Sequence, residues 1–345
     1  MFCLLVLASC GGESTPTMPP VTTPPPVTTP PTGEPPAAST VGRVVNALDQ
    51  NQGIANASVA GELLTATIAN SSGEFTLSTT APTGPSALVR IFSPAIVERQ
   101  VYVKVPGDPV VITAMPASMN LTYFNEMCRS FGGITRWMSA PALVVERAAL
   151  EYGSRMSTGE VVPDDSIATT VAELRQLIPV LSSGRYPDFA SIEYRTTPAG
   201  VRALLPDGAI GLTWQTKLLD TFGHVAYGAR ELASGTPGLA RGEVALDRDW
   251  HLFGLPVGSR RDYFNVLQHE LGHAMGYSHT KTSPSFMYEV FLMTVSALDR
   301  QAFEIYMQRP SGNRTPDVDP SGTSANLGIS APRGMIVERC ASLRR

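Results

Sequence analysis

A run of eleven residues, His269 to His279, constrains this chain of 345 residues more than any other feature of its sequence. Three of the five histidines fall within it, in the pattern His-Glu-x-x-His-x-x-Gly-x-x-His. Residues four apart share one face of an α-helix, so His269 and His273 are expected to reach one metal ion from a single helical turn. Gly276 suits the left-handed position that ends a helix, after which the returning chain brings in His279.

This ligand set predicts a catalytic zinc site. Structural zinc takes four protein ligands, whereas catalytic zinc takes three and leaves the fourth position to water. Glu270 lies beside the first histidine, and we expect it to act as the general base. In that role it takes a proton from the attacking water and passes it to the leaving amine.

The residues ahead of the motif predict the helix that carries it. Apolar side chains recur at helical spacing, which indicates a buried stripe opposite an exposed face that holds the histidines. The stripe consists of Tyr263, Phe264, Leu267, Leu271, Ala274 and Met275. Ser259, with Asp262 three residues later, is a variant of the capping box and predicts the start of the helix.

The complete motif resembles that of the metzincin zinc peptidases. The run from His279 to Tyr288 looks like the passage into the Met-turn of the matrixins, which implies that Met287 forms an apolar floor beneath the zinc. Residues 242–247, followed by Trp250, are similar to the edge strand on which matrixins pair extended substrates. The resemblance implies an α+β catalytic domain over residues 120–310, with a mixed twisted sheet and a closing helix at 296–306.

Two further histidines carry no strong signal. His224 lies in a segment that faintly resembles the loop where matrixins hold a second, structural zinc, but the other expected ligands are not evident. An ordinary hydrogen-bonded role is therefore favoured for His224. His251, beside Trp250, is unassigned, and no acidic loop indicates a calcium site.

Residues 1–10 are almost wholly apolar and end in Leu-Ala-Ser-Cys, which resembles the lipobox of bacterial lipoproteins, where Cys10 would take a lipid. No Lys or Arg precedes this run, so an ordinary secretory signal is the alternative. Residues 11–39 are rich in Pro and Thr, which is typical of an extended spacer. We therefore expect a protein anchored in the bacterial cell envelope and facing the periplasm or the exterior. Gly11, rather than Asp, favours the outer membrane.

Residues 41–116 are expected to form a small all-β module. The predicted strands are 41–45, 63–69, 74–77, 87–92, 100–105 and 110–113. Turn residues Asn70 to Gly73 separate the second strand from the third. The module resembles the carboxypeptidase-regulatory-like β-sandwich in its Gly-x-Val start and its Ser-Gly-Glu-Phe turn. Such a module spaces or binds rather than catalyses.

With Cys3 removed and Cys10 lipidated, Cys128 and Cys340 remain, and an oxidising compartment favours a disulfide between them. It would tie the start of the catalytic domain to a C-terminal tail over 311–345. The alternative is a zinc-bound Cys128, as in latent matrixins, but its flanking residues lack the pattern of that switch.

Periodicity predicts the remaining elements between the module and the motif. Helical spacing predicts helices over 141–153 and 171–181. Alternation predicts strands at 191–194, 208–214 and 242–247.

The leading functional prediction is a zinc-dependent endopeptidase that acts on extended protein substrates. The net charge of −4 and the absence of a basic cluster exclude nucleic acid as an expected partner. Two alternatives stay open. One is an envelope-tethered binding lipoprotein with a vestigial peptidase domain, and the other is a zinc hydrolase that acts on a non-protein amide.

Overall fold

The structure, a computed structural model, describes residues 38–79, 86–218, 225–234, 238–248, 257–288, 293–321 and 336–339, with the backbone alone at 257–262, 338 and 339. From Ala37 onward the chain forms one unit, in which an N-terminal β region contacts a larger α+β region. None of the helices in these segments has the length and apolar character needed to cross a membrane.

The N-terminal region contains two four-stranded sheets. The first consists of β1 (Ala38–Asn46), β2 (Asp49–Gly53), β5 (Glu74–Thr79) and β8 (Val110–Ala114). The second consists of β3 (Ser58–Gly61), β4 (Thr67–Ile68), β6 (Ala87–Phe92) and β7 (Arg99–Val103). Both sheets contribute to one apolar core, in which Val44, Leu77, Val89 and Ile91 are fully buried. Burial alternates along β5, as expected for a sheet with one covered face.

The strand predicted at 63–69 is mostly absent. Leu63 has a φ of 63°, and the N–H of Leu64 bonds Gly61 O, so the chain turns here. This turn breaks the extended run that the alternation of apolar residues and threonines predicted. The turn predicted after it is confirmed, because Asn70 Oδ1 accepts the backbone N–H groups of Ser72 and Glu74, each at 2.9 Å.

The larger region is built on a mixed sheet of eight strands. They are β9 (Ala142–Glu146), β10 (Ala148–Glu151), β11 (Ser157–Val161), β12 (Ile192–Arg195), β13 (Ala209–Thr216), β14 (Ala226–Leu232), β15 (Leu239–Asp247) and β16 (Ile336–Arg339). β13 is central and pairs in parallel with β9, β10 and β15. β14 is antiparallel to β15, and β16 is antiparallel to β14 on its other side.

The helix predicted over 141–153 is wrong, because β9 and β10 lie there. Leu143, Val144 and Val145 are buried in succession, as in parallel strands that are covered on both faces. Such strands lack a period of two, and the charged residues between their apolar runs imitate helical spacing. The strands predicted at 191–194, 208–214 and 242–247 are present with shifted bounds as β12, β13 and β15.

Four helices accompany the sheet in the described segments: α1 (Leu121–Cys128), α2 (Asp164–Leu181), α3 (Val257–Met275) and α4 (Ala297–Gln308). α2 confirms the helix predicted at 171–181 but starts earlier, with two aspartates in its first turn, where the helix dipole favours carboxylates. α4 confirms the closing helix, and Ser296 and Asp299 form its capping box. α3 begins before Ser259, so the capping box predicted there does not mark its start.

A buried group of charges joins the two regions, and we call it the arginine–aspartate cluster. It consists of Arg99 in β7, Arg129 after α1, Arg309 after α4, Asp317 and Asp319. Arg309 binds Asp317 through two hydrogen bonds of 2.8 Å, and Arg99 binds Asp319 through two of 2.7 and 2.6 Å. Burial alone raises the pKa of Asp317, but the charges of Arg309 and Arg99 outweigh it and lower that pKa.

The segment predicted as a C-terminal tail over 311–345 therefore contributes to the fold. Its first described part, residues 311–321, supplies both carboxylates of the arginine–aspartate cluster. Its later described part is β16, which pairs with β14. Arg309 lies only eight residues before Asp317, but Arg99 lies 218 residues before Asp317 and 220 before Asp319, so the sequence gives little local sign of this role. β14, the partner of β16, is also distant along the chain.

Candidate metal centre

α3 and the turn after it bring the three histidines of the motif together. The Nε2 atom of His269 lies 3.1 Å from that of His279 and 3.1 Å from that of His273, and the third side of the triangle is 3.2 Å. Within the described segments this is the one group of His, Cys, Asp or Glu side chains that is close enough to hold a metal ion. We call it the histidine cluster.

Backbone carbonyls orient the two histidines of the helix. His269 Nδ1 lies 2.7 Å from Phe286 O, and His273 Nδ1 lies 2.9 Å from Tyr277 O. A carbonyl oxygen only accepts, so each Nδ1 donates a proton and each Nε2 keeps its lone pair. Both lone pairs therefore face the point toward which His279 Nε2 also lies. This arrangement is typical of metal-binding imidazoles.

The end of α3 turns the chain back toward the helix. Gly276 follows the last helical residue with a φ of 110°. Its N–H bonds His273 O, and the N–H of Tyr277 bonds Gly272 O, both at 3.0 Å. These are the two hydrogen bonds of a Schellman motif, which favours glycine at the left-handed position. The prediction that Gly276 ends the helix is confirmed.

The segment around Met287 packs directly against the histidine turn of α3. A Cβ on Gly272 would lie 2.6 Å from the ring of Phe286 and 2.7 Å from Met287 Sδ, so only glycine fits here. Met287 is fully buried, and its carbonyl accepts the N–H of Thr280, the residue after His279, at 3.0 Å. Met287 therefore lies beside the histidine cluster. Its role as an apolar floor beneath a metal remains a prediction.

A buried carboxylate supports this segment from the side of α4. The side chain of Asp299 accepts hydrogen bonds from Ser285 Oγ at 2.8 Å, from the N–H of Phe286 at 3.3 Å and from Tyr123 Oη. The carbonyl of Phe286 in turn holds the ring of His269. Sequence reasoning placed this aspartate on the closing helix but did not connect it with the metal ligand.

Arg230 of β14 holds the turn from the side of the sheet, and sequence reasoning missed it. Its guanidinium is fully buried and lies over the ring of Phe131. It donates to Tyr277 O at 2.6 Å and His273 O at 3.2 Å, and also to Ser278 Oγ. A cation at this position suits the negative end of the α3 dipole. Tyr277 O thus serves both Arg230 and the ring of His273.

The histidine face of α3 is buried, although the sequence predicted that it is exposed. His269, Glu270 and His273 are at most 1% exposed, because β14 and β15 cover one side of the helix and the segment around Met287 covers another. The predicted apolar stripe is buried too, apart from a partly exposed Phe264. Burial and the neighbouring His279 lower the pKa of His269 to about 3, and burial takes the pKa of His273 well below its ordinary value. Both rings are therefore neutral, as metal ligation requires.

The histidine cluster fits a tetrahedral zinc ion. Zinc–nitrogen bonds of about 2.0–2.1 Å put two ligands of a tetrahedron about 3.3–3.4 Å apart. The observed Nε2 separations of 3.1 and 3.2 Å are close to this value. Imidazole nitrogens suit zinc, and three protein donors leave one position of the tetrahedron for water or substrate.

β15 is not the edge strand that residues 242–247 were predicted to form. It pairs with β13 on one side and with β14 on the other. β14, its antiparallel hairpin partner, takes the outer position of the two and lies close to the cluster, since a Cβ on Gly228 would lie 2.5 Å from His273 Cβ. Alternation within one strand does not reveal which member of a hairpin lies outside.

Several residues that the sequence analysis selected lie outside the described residues, namely Cys10, His224, Trp250, His251 and Cys340. Cys128 lies in α1 as a free, buried thiol, and burial raises the pKa of this thiol well above its ordinary value. Its pairing with Cys340 stays a prediction.

The mixed sheet, α3 and the converging imidazoles together form a candidate metal centre, and a family match supports the metalloprotease class. More narrowly, residues 218–305 match the matrixin family model, and members of that family bind zinc. The matched segment contains the histidine cluster, Met287 and most of α4. It supports a metzincin-like α+β domain. No curated protein matches the chain at a significant level.

Proposed function

We propose that the chain is a zinc-dependent endopeptidase that hydrolyses peptide bonds within extended protein substrates. The observation that carries this proposal is the convergence of three imidazoles on one point, with Glu270 next to the first of them in α3. The matrixin match over residues 218–305 supports the same class of chemistry.

The histidines and Glu270 have separate roles in this proposal. His269, His273 and His279 hold the metal, and the carbonyls of Phe286 and Tyr277 fix two of the rings. Zinc, when bound, polarises the scissile carbonyl and lowers the pKa of water toward about 7. Glu270 follows the first ligand on the same buried helix. It accepts the proton of the attacking water and returns that proton to the leaving amine.

The test uses residues 37–345, which form one compact unit, purified with the zinc content measured. Wild-type protein, Glu270→Ala and a control, Glu151→Ala in β10, are compared for casein hydrolysis. We expect one zinc per chain in all three proteins. Glu270→Ala should lose hydrolysis by about 10²–10⁴-fold, the usual contribution of general acid–base catalysis, and a chelator should abolish it.

The outcomes distinguish the possible functions of the site. Zinc binding and hydrolysis that both Glu270→Ala and the chelator abolish would establish the peptidase. One bound zinc without hydrolysis of any protein substrate would retain the metal site but favour a non-protein amide or a vestigial enzyme. A chain that binds no zinc would overturn the central claim.

The proposed location is the bacterial cell envelope, with a lipid on Cys10 and residues 11–39 as the spacer. The supporting observation is the apolar run that ends in Leu7-Ala8-Ser9-Cys10. In a bacterial host, the full-length protein should partition with membranes and incorporate labelled palmitate, and Cys10→Ser should lose both properties. Equal labelling of the two proteins would contradict the anchor.

A further inference from the structure

The outer edge of β14, the side that faces away from β15, is covered by the last described strand of the chain. β16 pairs with it antiparallel, in the register Tyr227–Arg339, Gly228–Glu338, Ala229–Val337 and Arg230–Ile336. Without β16, this edge would present unpaired backbone N–H and C=O groups, which form a template for another extended chain.

The covered edge runs past the histidine cluster. Gly228 approaches α3 so closely that a Cβ on it would lie 2.5 Å from His273 Cβ. Arg230, two residues on, contacts the same carbonyl that holds the ring of His273. The pair Gly228–Glu338 therefore puts the backbone of β16 alongside the part of β14 that is nearest to the metal ligands.

A sheet edge binds an extended peptide through main-chain hydrogen bonds, and one edge holds one strand at a time. We propose that β16 is a built-in competitor for the outer edge of β14. By occupying this edge, the C-terminal segment of the chain keeps extended peptide substrates away from the histidine cluster. This inference rests on the proposed peptidase function and adds a means of regulation to it.

β16 has the features of an exchangeable strand. It contains four residues, so few main-chain hydrogen bonds hold it to β14, and its Val337 is 42% exposed. Because it belongs to the same chain, it competes at an effective concentration on the order of millimolar, and weak pairing is enough to occupy the edge. A competitor of this kind raises KM and leaves kcat unchanged.

The test compares the wild-type chain from residue 37 with Glu338→Pro and Glu338→Thr. The N–H of Asp247 bonds Val225 O, so alternate residues of β14 face β15, and Gly228 and Arg230 face β16. The N–H of Glu338, opposite Gly228, therefore points at β14, and proline removes this N–H whereas threonine keeps it. For a fluorogenic casein-derived peptide we expect Glu338→Pro to raise kcat/KM by at least about tenfold through KM, because the tethered competitor is lost. Glu338→Thr should behave as wild type, and zinc content should stay at one per chain.

Hydrogen exchange and a synthetic peptide make the result independent of activity. In Glu338→Pro, the amides of Gly228 and Arg230, which face β16, should exchange faster than in the other two proteins. A labelled peptide of residues 333–339 should bind Glu338→Pro at least about tenfold more tightly than wild type, since the edge is open. The same peptide with an N-methylated Glu338 should bind neither protein.

The outcomes decide the inference separately from the proposed function. Equal kcat/KM in all three proteins, despite faster exchange in Glu338→Pro, would overturn the inference and leave the peptidase intact. If no protein hydrolyses casein, the proposed function fails and the labelled peptide decides. Tighter binding to Glu338→Pro then supports the competition for the edge, and equal binding overturns it.

Discussion

Two buried polar groups in this molecule contrast with each other. The arginine–aspartate cluster brings together opposite charges whose hydrogen bonds are made within the protein, with both carboxylates in bidentate contact with arginines. The histidine cluster brings together three groups of the same kind, whose Nε2 atoms lie 3.1–3.2 Å apart. The first group is complete as the chain folds, whereas the second is complementary to a cation.

This difference gives a physical criterion for a ligand site. Buried polar groups are normally paired with partners of opposite character, and such pairing indicates a structural role. When like groups converge and backbone carbonyls fix their orientation, the arrangement is favourable only once an ion fills the centre. The two clusters should therefore respond in opposite ways to mutation.

The largest expected effect is on metal binding. His273→Ala should abolish stoichiometric zinc binding, because loss of a ligand exceeds the roughly 10–100-fold cost of losing a residue that only orients one. The metal-free variant should still unfold cooperatively in urea, since like groups were not holding the fold together. Equilibrium dialysis and urea unfolding would check both expectations. A variant that binds zinc normally would contradict the assignment of ligands.

The opposite pattern is expected for the arginine–aspartate cluster. Asp317→Asn should lower the free energy of unfolding by about 3–5 kcal/mol, because it leaves buried arginines without a full countercharge. Zinc content should stay at one per chain. Glu98→Gln, which disrupts the exposed pair of Glu98 with Arg90, is the control and should cost less than about 1 kcal/mol. If urea unfolding shows that Asp317→Asn and Glu98→Gln lose the same free energy of unfolding, the buried cluster contributes no more than an exposed ion pair and the prediction is wrong.

Acidification should reduce the difference in the free energy of unfolding between wild type and Asp317→Asn. The pKa of Asp317 is lowered in the folded chain, so its stabilising contribution is fully present above the unfolded pKa of about 3.9. That contribution is lost as the pH falls through the lower, folded pKa. Urea unfolding of both proteins at pH 7 and at successively lower pH would test this. A difference in the free energy of unfolding that grows on acidification would contradict the lowered pKa of Asp317.

Arg230 connects the two kinds of behaviour, since it is a buried arginine that serves the histidine cluster. Arg230→Met should weaken zinc binding by roughly 10–100-fold, because the turn that orients His273 and His279 loses its support. Arg230→Lys should retain part of the affinity. Zinc competition titration and the visible spectrum of the cobalt-substituted protein would show altered ligand geometry. An unchanged spectrum with reduced stability would indicate a purely structural role.

The sequence was informative where the determining residues are close together along the chain. The spacing of His269, His273 and His279 and the position of Gly276 predicted a site that the structure assembles within a few turns of backbone. Strands with one covered face, such as β5, showed the expected alternation. In both cases the spacing of residues along the chain is determined by the geometry of a single helix, turn or strand.

The failures involve partners that are distant in sequence. The run over 141–153 imitated a helix because β9 is covered on both faces by elements that its own residues do not specify. Arg230, within a mostly apolar strand, gave no sign that its partners are carbonyls 43 and 47 residues later. The burial of the histidine face likewise depends on the sheet and on the segment around Met287, which no helical wheel contains.

The position of Asp317 and Asp319 along the chain has a consequence for biosynthesis. Arg99 precedes these two residues by 218 and 220 positions. At a synthesis rate of roughly 5–20 residues per second, the arginine emerges about 10–40 s before its carboxylates. During that interval the N-terminal sheets can form, but the ion pairs of Arg99 with Asp317 and Asp319 cannot. A ribosome that stops between Arg309 and Asp317 therefore yields a chain that contains all three arginines of the cluster and neither of its carboxylates.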